Sequence, residues 1–214
     1  TGFGGKLHTV PYVDNHEDPE SLIAKATEVS AKIIYFANPD NPMGSWHSAD
    51  VVNVLINSLP KSTLLVLDEA YIDLAPAGTA PALLPETPNV IRMRTFSKAY
   101  GMAGARVGYA IGPKKLITAF DKVRNHFGMS HISQVGALAA LSDQNYFEKV
   151  LENVQISRQQ ITEIARVNGL KALHSATNFV TIDCGQDGNF ARALLQRLIE
   201  YQIFVRMPNI SPLD

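Results

Sequence analysis

Residues 94–109 read RTFSKAYGMAGARVGY, and this stretch decides how the fold is interpreted. Apolar runs flank it, VIRMR at 90–94 and VGYAI at 107–111, and both runs predict β-strands. Lys98 lies between them among small residues, although lysines usually occupy solvated surfaces. This placement favours a functional loop after a strand end, and the competing interpretation is a flexible surface loop with a solvated lysine.

Short apolar runs recur along the chain and alternate with helical patterns. Continuous runs such as KIIYF and LLVL are typical of strands that are covered on both faces, as in a parallel sheet between helices. We therefore predict an α/β fold with three α/β/α layers around a mostly parallel sheet. The predicted strands are 6–11, 33–36, 64–67, 90–94, 107–111, 179–182 and 203–206. The predicted helices are 19–29, 48–58, 114–124, 131–141, 146–167 and 190–201.

The long helical pattern at 146–167 predicts the domain organisation. We expect a large domain over 1–140, an inter-domain helix over 141–168 and part of a smaller α+β domain over 169–214. The chain begins on TGFGG without an initiator methionine and stops at VRMPNISPLD. We therefore expect a piece of a longer protein that lacks both termini.

Composition excludes several classes of function. The 214 residues contain 19 Lys and Arg against 20 Asp and Glu, so nothing favours a nucleic acid as partner. No apolar run approaches the roughly 20 residues that a membrane span needs. The six histidines show no metal-ligand spacing, and the single cysteine fits a reducing compartment such as the cytoplasm. We therefore expect neither a metal site, nor a nucleic-acid partner, nor a membrane segment.

Two stretches place polar groups directly after predicted strands. In ANPDNPMG (37–44) a rigid turn carries Asn41, and the competing interpretation is a tight loop without further function. In LLVLDEAY (64–71) Asp68 follows four apolar residues, and the competing interpretation is a helix N-cap. Because ligands of open α/β sheets bind beyond the carboxyl ends of the strands, both residues are candidate site residues.

Anion-binding groups follow the strand at 90–94. Thr95, Ser97 and Arg106 supply hydroxyl and guanidinium donors, and the small residues between them allow a ligand to approach the backbone. This combination predicts a site for a dianion. Arg206, in the late run IFVR, is a further candidate, and its competing role is that of an edge-strand solubility residue.

The order of ANPDNPMG, LDEAY and RTFSKAYGMAGARVGYAIG resembles a pyridoxal-phosphate-dependent aminotransferase of fold type I. Within that group the chain is similar to the histidinol-phosphate aminotransferase-like branch. The resemblance implies an enzyme that moves an amino group between an amino acid, or a phosphorylated amino alcohol, and a 2-oxo acid. It also implies pyridoxal 5′-phosphate as cofactor and a homodimer.

The resemblance assigns catalytic roles residue by residue. Lys98 would bind the cofactor covalently and, once freed by substrate, would move a proton from the substrate α-carbon. Asp68 would keep the pyridine nitrogen of the cofactor protonated. Tyr71 and Asn41 would donate hydrogen bonds to the 3-oxygen of the ring, and Asn41 would also border the substrate.

The remaining roles concern anionic groups. Thr95, Ser97 and Arg106 would bind the phosphate of the cofactor, and Arg206 would bind the anionic group of the substrate. The segment NHFGMSHIS (125–133) departs from the family pattern, which leaves the amine substrate open. Two alternatives therefore stand beside the aminotransferase: a decarboxylase or lyase acting on a phosphorylated amino acid, and a non-enzymatic sensor domain of a transcription regulator.

Overall fold

A four-stranded sheet forms the centre of the computed structural model, which describes residues 4–82 and 84–208. Its strands are β1 (Ile33–Ala37), β2 (Leu64–Asp68), β3 (Val90–Thr95) and β4 (Gly108–Ile111), and they lie side by side in chain order. The first three strands are parallel, whereas β4 runs antiparallel to β3. The predicted α/β class with a mostly parallel sheet is therefore confirmed.

Two helices cover one face of this sheet. The first, α1 (Pro19–Glu28), begins after Asp18, whose carboxylate accepts a hydrogen bond from the backbone N–H of Ser21. The second, α2 (Ala49–Asn57), begins after Ser48, which caps it in the same way. Apolar side chains of both helices and of alternate strand positions form the main core: Ala26, Ile34, Phe36, Val52, Leu55, Leu65, Leu67 and Val90.

The second half of the described chain is mainly helical. In order it contains α3 (Lys114–Phe120), α4 (His131–Ser142), α5 (Gln144–Val167), a two-stranded ladder of β5 (Lys171–Ala172) and β6 (Ile182–Asp183), and α6 (Gly188–Glu200). The long helix predicted over 146–167 is confirmed as α5. On it, Arg158 donates hydrogen bonds to the carbonyls of Ser175 and Leu74. The division into domains stays a prediction.

Several predicted elements are wrong. Residues 6–11 form no strand and are largely exposed, and a single bridge between Val13 and His16 follows instead. The segment 203–206 is irregular and exposed, since no strand of the described chain pairs with it. The strand predicted over 179–182 is reduced to β6, and the helix predicted over 114–124 ends as α3 at Phe120. No helix within the described residues is long and apolar enough to cross a membrane.

Two valines on α2 test where the core lies. Val52 is fully buried, whereas the side chain of Val54 is 64% exposed on the same helix. We expect Val52→Ala to lower the free energy of unfolding by about 2 kcal/mol, because it removes two buried methyl groups and leaves a cavity. Val54→Ala is the matched control and should change it by less than about 0.5 kcal/mol. If urea denaturation gave the same loss of unfolding free energy for both variants, the buried position of Val52 in the core would be contradicted.

Candidate active site

The candidate residues meet at the carboxyl edge of the sheet. Asp68 is the last residue of β2, and it lies opposite Ala37 of β1 and Met93 of β3. Thr95 ends β3 two residues further on. Because β1, β2 and β3 are parallel, the loops that follow them leave the sheet at the same edge. The structure therefore brings together the loop of Asn41, the carboxylate of Asp68 and the loop of Lys98.

Two donors orient the half-buried carboxylate of Asp68. The phenol of Tyr35 donates a hydrogen bond of 2.6 Å to Oδ2, and the backbone N–H of Ala70 donates one of 2.9 Å to Oδ1. Partial burial and the negative charge of Asp68 raise the pKa of Tyr35, so the phenol keeps its proton. Sequence reasoning missed Tyr35, although it lies on the same strand face as Ala37, the register partner of Asp68.

Lys98, Tyr71 and Asn41 form a connected group. The Nζ atom of Lys98 lies 4.9 Å from the centroid of the Tyr71 ring. The amide Nδ2 of Asn41 donates a hydrogen bond of 3.1 Å to the hydroxyl of Tyr71. Tyr71 is buried and packs edge to face on Phe179, so its ring is held in place. An amine, a phenol and an amide thus point into one region.

A pair of hydroxyls lies at the end of β3. The hydroxyl of Thr95 donates to that of Ser97 over 2.9 Å and accepts from the backbone N–H of Ser97 over 3.0 Å. The backbone of Arg106 lies close to this pair of hydroxyls, because the carbonyl of its neighbour Val107 accepts a hydrogen bond from the N–H of Phe96. The guanidinium of Arg106 is exposed and donates to the carbonyl of Ala103 over 2.7 Å.

Arg206 is not joined to this group. It lies exposed in the irregular segment after α6, and none of the contacts that connect the other candidates within the described residues includes it. Its predicted place on a short strand is wrong, because residues 203–206 are irregular. Its role in substrate binding stays a prediction.

A buried ion-pair network, which sequence reasoning also missed, lies directly beside Asp68. Glu69 is 1% exposed, and its carboxylate accepts hydrogen bonds from Arg92 at 2.5 and 3.0 Å and from Arg94 at 2.8 Å. Arg92 also donates to the carbonyls of Pro81 and Ala82. The sequence feature that could have indicated this network is the presence of Arg92 and Arg94 inside the otherwise apolar strand VIRMR, because charged residues are rarely buried without a partner.

The loop that carries Asn41 is fixed at both ends. Asn38 accepts from the backbone N–H of His47 and donates to its carbonyl, which closes the loop base. Gly44 has φ +77° and packs so tightly on Ser175 that an added Cβ would lie 2.6 Å from the serine Oγ. The backbone N–H of Ala176 donates to the carbonyl of Gly44 over 2.8 Å. The segment after β5 therefore supports this loop.

The α/β fold with its mostly parallel sheet is that of the fold-type I aminotransferases, as the comparisons with known proteins show. The family model described as aminotransferase class I and II matches residues 2–213. The chain is 36% identical over 206 residues to a histidinol-phosphate aminotransferase of Bacillus velezensis, and the match covers 95% of this chain and 56% of that protein. The chain belongs to the aminotransferase class I and II family.

Solved structures agree with this membership. A histidinol-phosphate aminotransferase from Sinorhizobium meliloti in complex with pyridoxal-5′-phosphate superposes with a TM-score of 0.96 at 52% identity, over 99% of this chain and 59% of that one. A decarboxylase from Sulfurospirillum multivorans superposes with a TM-score of 0.74 at 23% identity, over 94% of this chain and 60% of that one, which shows the fold alone. The chain thus spans a little over half the length of the proteins it matches.

Glu69→Gln tests the buried network. Removing the charge leaves two guanidinium groups without their buried counter-ion, and we expect a loss of about 3–5 kcal/mol in the free energy of unfolding. Glu163→Gln is the matched control, because Glu163 pairs with Arg166 on the exposed face of α5. Thermal unfolding should be nearly unchanged in the control. A Glu69→Gln protein as stable as the control would show that the network contributes nothing.

Proposed function

We propose that the protein containing this chain is a pyridoxal-phosphate-dependent aminotransferase. It would move an amino group between an amino acid or a histidinol-phosphate-like amine and a 2-oxo acid. Family membership supports this reaction class, and the likeness to the Sinorhizobium structure with its bound pyridoxal phosphate supports the cofactor. The observation that carries the proposal is the meeting of Lys98, Asp68, Tyr71 and Asn41 at one sheet edge.

The residues present fit the cofactor. The amine of Lys98 lies beside the phenol of Tyr71, which accepts a hydrogen bond from the amide of Asn41. This group of side chains suits a cofactor that carries an aldehyde next to a ring oxygen. A carboxylate with both oxygens oriented can receive a protonated ring nitrogen. Two hydroxyls and a nearby arginine suit a phosphate. When bound, pyridoxal phosphate supplies the electron sink for bond breaking at the substrate α-carbon.

Lys98 would act as the proton carrier. As a neutral amine its Nζ can accept the proton from the substrate α-carbon, and as an ammonium it can return one. The side chain is half-buried and lies against the Tyr71 ring, so its amine stays within the site while it exchanges protons.

Asp68 would hold a proton on the ring nitrogen of the cofactor. Tyr35 and Ala70 each donate to one oxygen and so fix the plane of the carboxylate. A carboxylate oxygen has two lone pairs, so one remains available on each oxygen for the ring. Tyr71 and Asn41 would donate hydrogen bonds to the 3-oxygen of the ring.

The anionic groups complete the proposal. Thr95, Ser97 and Arg106 would bind the phosphate. Nη1 of Arg106 donates to the carbonyl of Ala103, and a guanidinium has further N–H groups that can donate to a phosphate. Arg206 and Asn41 would border the substrate. A homodimer and a cytoplasmic location belong to the same proposal and are supported by the family alone. No contact of the described residues favours a decarboxylase or a sensor domain over the aminotransferase.

Lys98→Ala tests the assignment of the lysine. The purified full-length protein should show the visible absorbance of lysine-bound pyridoxal phosphate, and the variant should lose both this band and amino transfer, because no amine remains to bind the aldehyde. Lys61→Ala, which changes an exposed lysine in the turn before β2, should retain both. Persistence of the band in Lys98→Ala would refute the assignment.

Asp68→Asn tests the partner of the ring nitrogen. The variant should still bind the cofactor covalently, because Lys98 is intact. We expect the rate constant for the half-reaction with the amino acid to fall about 10- to 150-fold, which corresponds to losing a charge-assisted hydrogen bond of about 1.5–3 kcal/mol. Single-turnover kinetics with an amino acid would measure this loss. An unchanged rate would show that Asp68 does not contact the ring.

A further inference from the structure

Asp40, the residue before Asn41, is the centre of the hydrogen bonds within the loop that carries Asn41. It is 3% exposed. Its backbone N–H donates to the carbonyl of Ser45 over 2.9 Å, and its own carbonyl accepts from the N–H of Gly44 over 3.1 Å. Oδ2 of its side chain accepts from the N–H of Met43 over 3.1 Å. The position of Asp40 therefore fixes the shape of this loop.

A side chain from outside the loop binds the carboxyl group of Asp40. The hydroxyl of Tyr12 donates to both of its oxygens, at 3.2 Å to Oδ1 and 3.1 Å to Oδ2. Among the described residues no ion pair includes Asp40, so this buried carboxyl group depends on uncharged donors. Burial and the negative charge of Asp40 raise the pKa of Tyr12, so the phenol keeps the proton that it donates.

A tight turn directly after Tyr12 fixes the direction of the chain there. The backbones of Val13 and His16 exchange two hydrogen bonds of 2.9 Å. Between them, Asp14 and Asn15 have φ values of 49° and 64°. Two successive positive φ values are typical of a type I′ turn, and aspartate and asparagine adopt them more readily than most residues. The local sequence therefore favours the turn at whose start Tyr12 lies.

The far end of this turn is bound to both flanks of the loop. The backbone N–H of Ala37, before the loop, donates to Oε2 of Glu17 over 3.1 Å. Nε2 of His47, after the loop, lies 2.7 Å from the backbone carbonyl of Glu17, which can only accept, so the imidazole donates. The rings of His16 and His47 also pack edge to face, with centroids 5.6 Å apart. Tyr12 thus belongs to a segment that is fixed against the loop on each side.

We propose that Tyr12 is a positioning residue for the candidate active site. Its hydrogen bonds to Asp40 hold the loop so that the amide of Asn41 reaches the hydroxyl of Tyr71. That contact measures 3.1 Å, and a hydrogen bond is lost at about 3.6 Å, so a loop displacement of about 0.5 Å would break it. Tyr12 acts through Asp40 and the loop backbone, and its role in catalysis rests on the proposed function, in which Asn41 contacts the cofactor.

The first experiment follows the side-chain amide of Asn41 by nitrogen-15 NMR in the full-length protein before pyridoxal phosphate is added. The signal is identified by its loss in Asn41→Ala. Tyr12→Phe removes only the hydroxyl, and we expect it to shift or broaden the Asn41 signal, because the loop loses its connection to the segment before α1. Tyr146→Phe is the matched control: Tyr146 is 62% exposed on α5, and the variant should give the wild-type spectrum.

A hydroxyl that only stabilises the fold would lower the melting temperature of Tyr12→Phe and leave the Asn41 signal at its wild-type position. That result would overturn the positioning role. The signal requires no cofactor, so this experiment decides the role of Tyr12 independently of the proposed function.

The second experiment asks whether Tyr12 acts through Asn41. It measures the rate constant of the half-reaction with glutamate for wild type, Tyr12→Phe, Asn41→Ala and the double variant. We expect Tyr12→Phe to be about 2- to 12-fold slower than wild type, the range for losing one neutral hydrogen bond. The double variant should be no slower than Asn41→Ala, because residues that act through one contact are not additive.

Losses that multiply in the double variant, or a Tyr12→Phe protein as fast as wild type, would overturn the proposal. A wild-type protein that binds no pyridoxal phosphate would instead reject the proposed function, and the Asn41 signal would still decide whether Tyr12 positions the loop.

Discussion

The buried carboxylate of Glu69 is the constraint on which the candidate site depends. It is bound by Arg92 and Arg94 of the neighbouring strand β3, while its backbone N–H continues the ladder to the carbonyl of Met93. Because successive side chains of an extended chain point in opposite directions, anchoring Glu69 on one side turns Asp68 to the other. Tyr35 and the N–H of Ala70 then complete the orientation of Asp68. A pair of this kind is costly to break, since either partner alone would be a buried charge.

The second constraint is the support of the two loops that bring Asn41 and Lys98 to this carboxylate. The segment after β5 holds the Asn41 loop through Ala176 and through Thr181, whose hydroxyl donates to the carbonyl of Pro42. Helix α5 packs Phe147 and Leu151 against the cluster that contains Tyr71 and Ala99, next to Lys98. Residues distant in sequence from the site therefore fix its geometry.

The sequence predicted the elements whose patterns are local and the site residues whose motifs are contiguous. The strands β1, β2 and β3 and the helix α5 follow from apolar runs and helical periodicity, and Asp68 follows from its place after an apolar run. Tyr35 and Glu69 could not be found in this way, because their roles depend on partners in other elements. Tyr35 depends on Asp68, and Glu69 depends on Arg92 and Arg94. The runs at 6–11 and 203–206 have strand-like composition, but a strand also needs a partner, and sequence patterns do not report pairing.

The central claim is that Lys98 and Asp68 face a common ligand at the carboxyl edge of the sheet. A crystal structure of the full-length protein grown with pyridoxal phosphate tests this most directly. The account predicts continuous electron density from Nζ of Lys98 to the cofactor, with the ring nitrogen about 2.7–2.9 Å from the carboxylate of Asp68. Pyridoxal phosphate bound elsewhere, or a ring nitrogen that faces away from Asp68, would contradict it.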